Sequence, residues 1–144
     1  MNITKLSKYF AVLLFFSISF NAFAQQAEIS SPDKLLKVKV SVENQELKYS
    51  VFYENRVVLE NSPLGITTNA GDFTNKMSWK DSKTSSENKT YKNQKIKKSE
   101  VTYSANVLEV ETQNADNNVL KLRFQVSNND IAFRYEIPSW KDKL

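Results

Sequence analysis

The 144-residue sequence carries 20 lysines and arginines against 16 aspartates and glutamates, and it has no histidine and no cysteine. That composition excludes imidazole acid–base catalysis, thiol nucleophiles, zinc sites of the thiolate or imidazole kind, and disulfide stapling, so a core must hold the fold unaided. The formal net charge of +4 is too small to mark a nucleic-acid partner.

Residues 1–24 predict an export leader. Lys5 and Lys8 give a basic start, residues 9–16 an apolar centre, and Ala22-Phe23-Ala24 a small-x-small cleavage site before Gln25. The apolar run is shorter than the roughly 20 residues of a spanning helix, and Ser17, Ser19 and Asn21 dilute it. Cleavage is expected to leave residues 25–144 in the periplasm or secreted, with no stable membrane insertion and, lacking cysteine, no thioether lipid anchor. Without Lys5 and Lys8 the balance is 18 basic to 16 acidic residues. A chain of that length suits one domain.

Residues 36–42 alternate, with Leu36, Val38, Val40 and Val42 on one side and Lys37, Lys39 and Ser41 on the other, the period of a half-buried strand. Asn44-Gln45-Glu46 is expected to turn into residues 47–53, where Leu47, Tyr49, Val51 and Tyr53 share a face, so the two runs predict an antiparallel hairpin. Asn55-Arg56 reads as a second tight turn into Val57-Val58-Leu59. That strand is expected to break at Asn61-Ser62-Pro63, because proline cannot donate a ladder hydrogen bond.

Residues 69–94 are polar, with Phe73, Met77, Trp79 and Tyr91 as their large apolar side chains, and predict short or irregular strands. Lys92, Lys95, Lys97 and Lys98 then crowd a stretch with only Tyr91 nearby, which reads as a solvated loop or a lysine-guarded edge.

In residues 101–111 the set Val101, Tyr103, Ala105, Val107 gives way to Leu108 and Val110, predicting either a β-bulge or a strand buried on both faces. After a polar turn over residues 114–118, Leu120, Leu122, Phe124 and Val126 alternate against Lys121, Arg123 and Gln125. Asn128-Asn129-Asp130 turns into residues 131–138, with Ile131, Phe133, Tyr135 and Ile137 on one face. Seven or more short strands without a helix predict an all-β, two-sheet antiparallel β-sandwich. With only Gly65 and Gly71 available, most turns must rely on Asn and Asp for left-handed backbone positions.

Chemistry is sparse. Glu109 and Glu111 are two apart on one strand and point the same way, whereas a glycosidase needs two carboxyl groups facing each other across a bond. Asp116 and Asp130 sit in turns, outside any dense acidic loop of the kind calcium favours. Trp79, Tyr91 and Trp140 are the candidate ligand-binding residues, as rings that stack on sugar faces; Trp79 also suits a core plug, and Trp140 a contact with a neighbouring domain.

Four segments stand in a distinctive order: Ser31-Pro32-Asp33-Lys34-Leu35, Leu47-Lys48-Tyr49-Ser50-Val51, Ser62-Pro63-Leu64-Gly65 and Ala132-Phe133-Arg134-Tyr135-Glu136-Ile137-Pro138. Together they resemble the N-terminal domain of glycoside hydrolase family 97, exported α-glucosidases and α-galactosidases of Bacteroidetes. The first lacks the glycine of the family's SPDGKL pattern, and residues 91–98 hold neither the Gly nor the Trp of a family loop near the substrate cleft. The resemblance implies a galactose-mutarotase-like super-sandwich, present in part, that packs on a following (β/α)₈ barrel. It implies too that the catalytic carboxylates and calcium-linked acidic residues lie downstream of the Phe133 strand, so no cofactor is expected here.

Three functions are compatible with that reading. The first is a non-catalytic accessory domain whose barrel partner is supplied in cis or in trans, and it predicts an exposed apolar patch near Phe133 and Trp140. The second is an independent carbohydrate-binding module, predicting a solvent-facing Trp79 or Tyr91. The third is an envelope protein-interaction module without a ligand cleft.

Overall fold

A computed structural model describes residues 25–92 and 100–138. The leader, the lysine-rich residues 93–99 and Trp140 lie outside the described residues. Strands β1 (Gln26–Ser30), β2 (Leu36–Glu43), β3 (Glu46–Tyr53) and β4 (Arg56–Pro63) form one antiparallel sheet in chain order. A small hairpin follows, β5 (Thr67–Thr68) with β6 (Gly71–Asp72). The second sheet is the meander β7 (Ser78–Lys92), β8 (Glu100–Gln113), β9 (Val119–Ser127) and β10 (Ile131–Glu136). The predicted all-β sandwich is observed.

The core lies where the alternating faces meet. Val38 and Val40 of β2 and Leu120, Leu122, Phe124 and Val126 of β9 are fully buried, with Leu108 and Val110 of β8 beside them. Leu64, Phe73 and Met77 close one end of the sandwich and are also buried. The backbone N–H of Met77 donates to the Gln45 carbonyl at 2.9 Å, tying that plug to the first hairpin.

Several boundaries differ from the sequence reading. The second hairpin turns at Glu54-Asn55, both with positive φ, and Arg56 already belongs to β4. β4 does not stop at Asn61 but runs on to Pro63, opposite Lys48, through a register shift. It is a sheet edge, where a missing proline N–H breaks no ladder. β1 had no periodic signal and nevertheless pairs along β2 from Gln26 opposite Ser41 to Ser30 opposite Lys37.

The largest correction is β7. Fifteen polar-rich residues form a long strand in place of short irregular pieces, and the register shift is on this strand, where Lys80 is the extra residue between Trp79 and Asp81. The change of phase at Val107 and Leu108 is no bulge, since β8 pairs with both neighbours without interruption there. Both residues are buried, on opposite faces. Among the described residues eight non-glycine residues have positive φ; four are asparagines (Asn44, Asn55, Asn61, Asn117) and none is an aspartate. Lys34, Gln45, Glu54 and Lys76 take the others.

Candidate functional site

The outer face of the second sheet collects most of the ionic side chains. Register sets Glu87 of β7 opposite Ala105, Lys83 opposite Glu109, and Glu109 opposite Arg123 of β9. Arg123 bridges Glu87 and Glu109 with its two terminal nitrogens, its side chain only 16% exposed. Gln125 Nε2 donates to Glu87 at 2.8 Å, Lys83 pairs with Glu109 at 2.8 Å, and Glu111 is held by Lys121 at 2.9 Å and Lys80 at 3.2 Å. Ala105 and Val107 share this face and are fully buried. Long charged side chains cover apolar surface with their stems, which explains a strand buried on a solvent-side face.

The electrostatics oppose a catalytic pair. Lys89 and Arg123 hold the Glu87 carboxyl below its usual range, Lys83 and Arg123 do so for Glu109, and Lys121 and Lys80 for Glu111. A glycosidase general acid needs the opposite shift, toward a protonated carboxyl at neutral pH. The depression of about 350 Å³ lined by Lys83, Glu109, Glu111, Lys121 and Arg123 is therefore a satisfied ion-pair surface. Among the described residues no group of three acidic side chains is placed to hold a metal ion. Asn114, not Asp116, organises its turn: its side-chain oxygen accepts from the N–H groups of Asp116 and Asn118, and its amide donates to the Asp72 carbonyl at 3.0 Å.

Of the sequence-predicted aromatic residues, Trp79 and Tyr91 are described, and they are not brought together. Trp79 pairs with buried Thr112 on the inner face and packs against the core, half-buried. Tyr91 is 55% exposed on the outer face, opposite Val101. Twelve residue steps along the strand separate them, roughly 40 Å at the usual rise.

The opening motif is a built turn. The Ser31 hydroxyl donates to Asp33 Oδ1 and accepts from the Leu36 N–H at 3.0 Å, while the Asp33 N–H donates to Asn128 Oδ1 at 3.0 Å, joining the two sheets. The hydrogen bond from Ser31, followed by that from the Leu35 N–H to Asp33 Oδ1 at 3.1 Å, lowers the Asp33 pKa. Lys34 adopts φ 65°.

The third feature is an open flank. β1 lies against β7 and β8, β2 lies against β9, and Tyr49 of β3 lies against Phe133 of β10 with ring centroids 5.8 Å apart. β4 is the strand left without a counterpart among the described residues. Residues 56–61 are exposed on both faces, including Val57, Val58 (66%) and Leu59. Phe133, 41% exposed, borders the same flank; the Trp140 part of the patch expected near Phe133 and Trp140 lies outside the described residues.

The chain resembles known proteins along most of this framework. The family model described as glycosyl-hydrolase 97 N-terminal matches residues 29–144. Among solved structures, a β-arabinopyranosidase is 38% identical with a TM-score of 0.72, over 78% of this chain and 18% of its own. A glycoside hydrolase family 97 enzyme from Pseudoalteromonas sp. strain K8, solved with panose and with acarbose, is 25% identical with a TM-score of 0.71, over 78% of this chain and 17% of its own. No curated protein matches the chain. The chain thus spans under a fifth of the length of these enzymes. The match across residues 29–144, on a sandwich that keeps the Ser31 turn and the Phe133 strand, shows that the chain belongs to the glycosyl-hydrolase 97 N-terminal family.

Proposed function

We propose that this chain is a non-catalytic accessory domain of an exported glycoside hydrolase, working with a catalytic barrel supplied in cis or in trans. The observation that carries the reading is the family match over residues 29–144 combined with the small share, 18%, of the β-arabinopyranosidase relative that this chain covers. The depressed pKa values of Glu87, Glu109 and Glu111 support it, because none of these groups is poised as a general acid. Catalysis, and any calcium it uses, belongs to the barrel.

The Pseudoalteromonas enzyme was solved in complex with panose and with acarbose, so the substrate class we assign to the whole assembly is an oligosaccharide. A direct sugar contact by this domain is carried best by Tyr91, whose ring faces solvent. Export to the periplasm through residues 1–24 completes the reading.

The test is a paired assay of the purified chain, alone and mixed with a family 97 catalytic barrel stripped of its own N-terminal domain, on aryl α-glucosides and aryl β-arabinopyranosides. The expected result is no turnover by the chain alone and a gain in barrel activity or stability on mixing. Turnover by the chain alone would sink the proposal. N-terminal sequencing of periplasmic material is expected to begin at Gln25.

A further inference from the structure

The two sheets part along the side where β1 faces β7, leaving an open groove of about 530 Å³. We propose that this groove binds a neutral oligosaccharide, with its hydroxyl and amide lining taking the sugar hydroxyls and its small apolar strip taking a sugar face. The ligand class rests on the oligosaccharide substrate assigned to the whole assembly.

One wall comes from β7. Register sets Thr84 opposite Leu108 and Ser86 opposite Asn106. Directly opposed residues of an antiparallel pair share a face, so both hydroxyls stand on the side of the sheet that carries the fully buried Leu108. That is the core side, yet Thr84 and Ser86 are exposed, and so is Ser85 between them. Dry contact between the sheets has ended at these positions, and hydroxyl groups stand where a closed sandwich would carry apolar side chains.

The other wall is β1 and the turn after it. Ile29 and Ser31 are buried along it, and Pro32 is exposed. The half-buried Asn106 side chain crosses from one sheet to the other, its Nδ2 donating to the Ser30 carbonyl at 2.8 Å. A side-chain amide has two N–H donors and an accepting oxygen. Asn106 therefore keeps a donor and an acceptor for a ligand while Ser30 fixes its position.

The lining selects against other ligands. Glu28 and Lys34 are its ionisable residues, one of each sign, and Glu28 also lies 4.0 Å from Lys37. One carboxylate is too few for a divalent cation, and one lysine is no clamp for a phosphate or an acidic chain. Two of the ten lining residues, Ile29 and Pro32, are apolar, too few for a fatty or aromatic ligand. A peptide strand pairing along β1 would meet Asn106 at the Ser30 carbonyl. A small, uncharged, hydroxyl-rich molecule remains, and the volume lies within the roughly 300–1,000 Å³ of small-molecule sites.

The test follows amide chemical shifts of the isotope-labelled chain by NMR as maltotriose or raffinose is added. Saturable shifts are expected at Ser30, Ser31, Thr84 to Ser86 and the Asn106 side-chain amide, equal in low and high salt. Ser86→Lys puts a long side chain into the groove from an exposed position and should weaken binding at least tenfold. The double variant Thr84→Ala with Ser86→Ala should weaken it at least threefold. Circular dichroism and the urea midpoint check that each variant folds.

Shifts clustered at Tyr91, with the groove unmoved, would overturn the groove as the site and leave the oligosaccharide reading intact. No saturable shift at the highest soluble sugar concentration, or full binding by Ser86→Lys, would also overturn it. So would tighter binding of trigalacturonic acid or of trialanine at the same amides. Failure of the barrel to respond to the domain, with the groove still binding sugar, would instead count against the accessory role alone.

Discussion

The Tyr135 hydroxyl, on the edge strand of one sheet, donates to the main-chain oxygen of Leu64, just past the edge strand of the other, at 3.2 Å. Leu64 is itself buried, and its N–H donates to the Leu47 carbonyl at 2.9 Å, so a single peptide segment is gripped from both sheets. Tyr135→Phe keeps the ring and leaves the carbonyl without this donor, for an expected loss of about 1 kcal/mol in urea unfolding.

The same tyrosine sets an alkaline limit. Burial raises its pKa, and the neighbouring Tyr49 adds to the shift. A raised folded-state pKa means that this contribution to stability is whole below the unfolded value of about 10 and is lost as pH climbs through the folded value. Unfolding of the wild-type chain should therefore become easier above about pH 10. The slope against pH should be shallower in Tyr135→Phe, with the remainder coming from Tyr103, which burial also raises. Equal slopes in the two proteins would contradict the assignment.

Lys34 occupies a left-handed position, φ 65°, in the turn built on Ser31 and Asp33. A β-carbon there is strained by about 1 kcal/mol or more, and glycine escapes that strain at some cost in unfolded-state entropy. Lys34→Gly is expected to stabilise the chain by about 0.5 kcal/mol, read as a higher urea midpoint at constant m. Lys34→Val should lower the midpoint.

The legible parts of the fold were the strands with one wet and one dry face. Val38 and Val40, and Leu120 through Val126 at alternate positions, declared their burial by period alone. β7 was opaque because Lys83, Thr84, Ser85 and Ser86 are exposed on both sides, so pairing with β8 and not burial makes it a strand. β8 kept two readings open because the covering of Ala105 and Val107 comes from Glu87 and Arg123, distant in sequence. The ionic surface was half legible for the same reason: Glu109 and Glu111 were visible, but their partners Lys83, Arg123, Lys80 and Lys121 arrive from two other strands. The flank at β4 was legible only as an apolar triplet, Val57-Val58-Leu59; its exposure follows from β4 having no opposing strand among the described residues.

That ionic surface predicts an acid limit. The carboxyls of Glu87, Glu109 and Glu111 have lowered pKa values through their lysine and arginine partners, so the stability they lend is complete above the unfolded value of about 4.3 and lost as pH falls through the folded values. Thermal unfolding followed from pH 7 to pH 3 should show a decline confined to the acid side of about pH 5. Arg123→Ala should blunt that decline by removing the shared cation. At neutral pH the same variant should also lower the thermal midpoint, because it uncovers Ala105 and Val107 as well as removing one partner of Glu87. An acid transition of unchanged depth in Arg123→Ala would show that Arg123 does not couple these groups.

Gly65 is the more tightly approached of the two glycines. A β-carbon at this position would stand 2.8 Å from Thr74 Cα and 3.3 Å from Thr74 Cβ. The obstacle is main chain, so no rotamer change relieves it, and the segment from Leu64 to Ile66 would have to move away from the β6 side. That segment is fixed at both ends: the Leu64 carbonyl accepts from Tyr135, and the Ile66 carbonyl accepts from the Phe73 N–H at 2.9 Å. Gly65→Ala is therefore expected to destabilise by about 1–3 kcal/mol, the usual cost of overpacking. The loss should be partly non-additive with Tyr135→Phe, since a segment freed from one clamp can shift to admit the methyl group. A double-mutant cycle in urea measures this directly; strict additivity would mean that the two contacts hold Leu64 independently, and a Gly65→Ala chain as stable as wild type would mean that Thr74 yields freely.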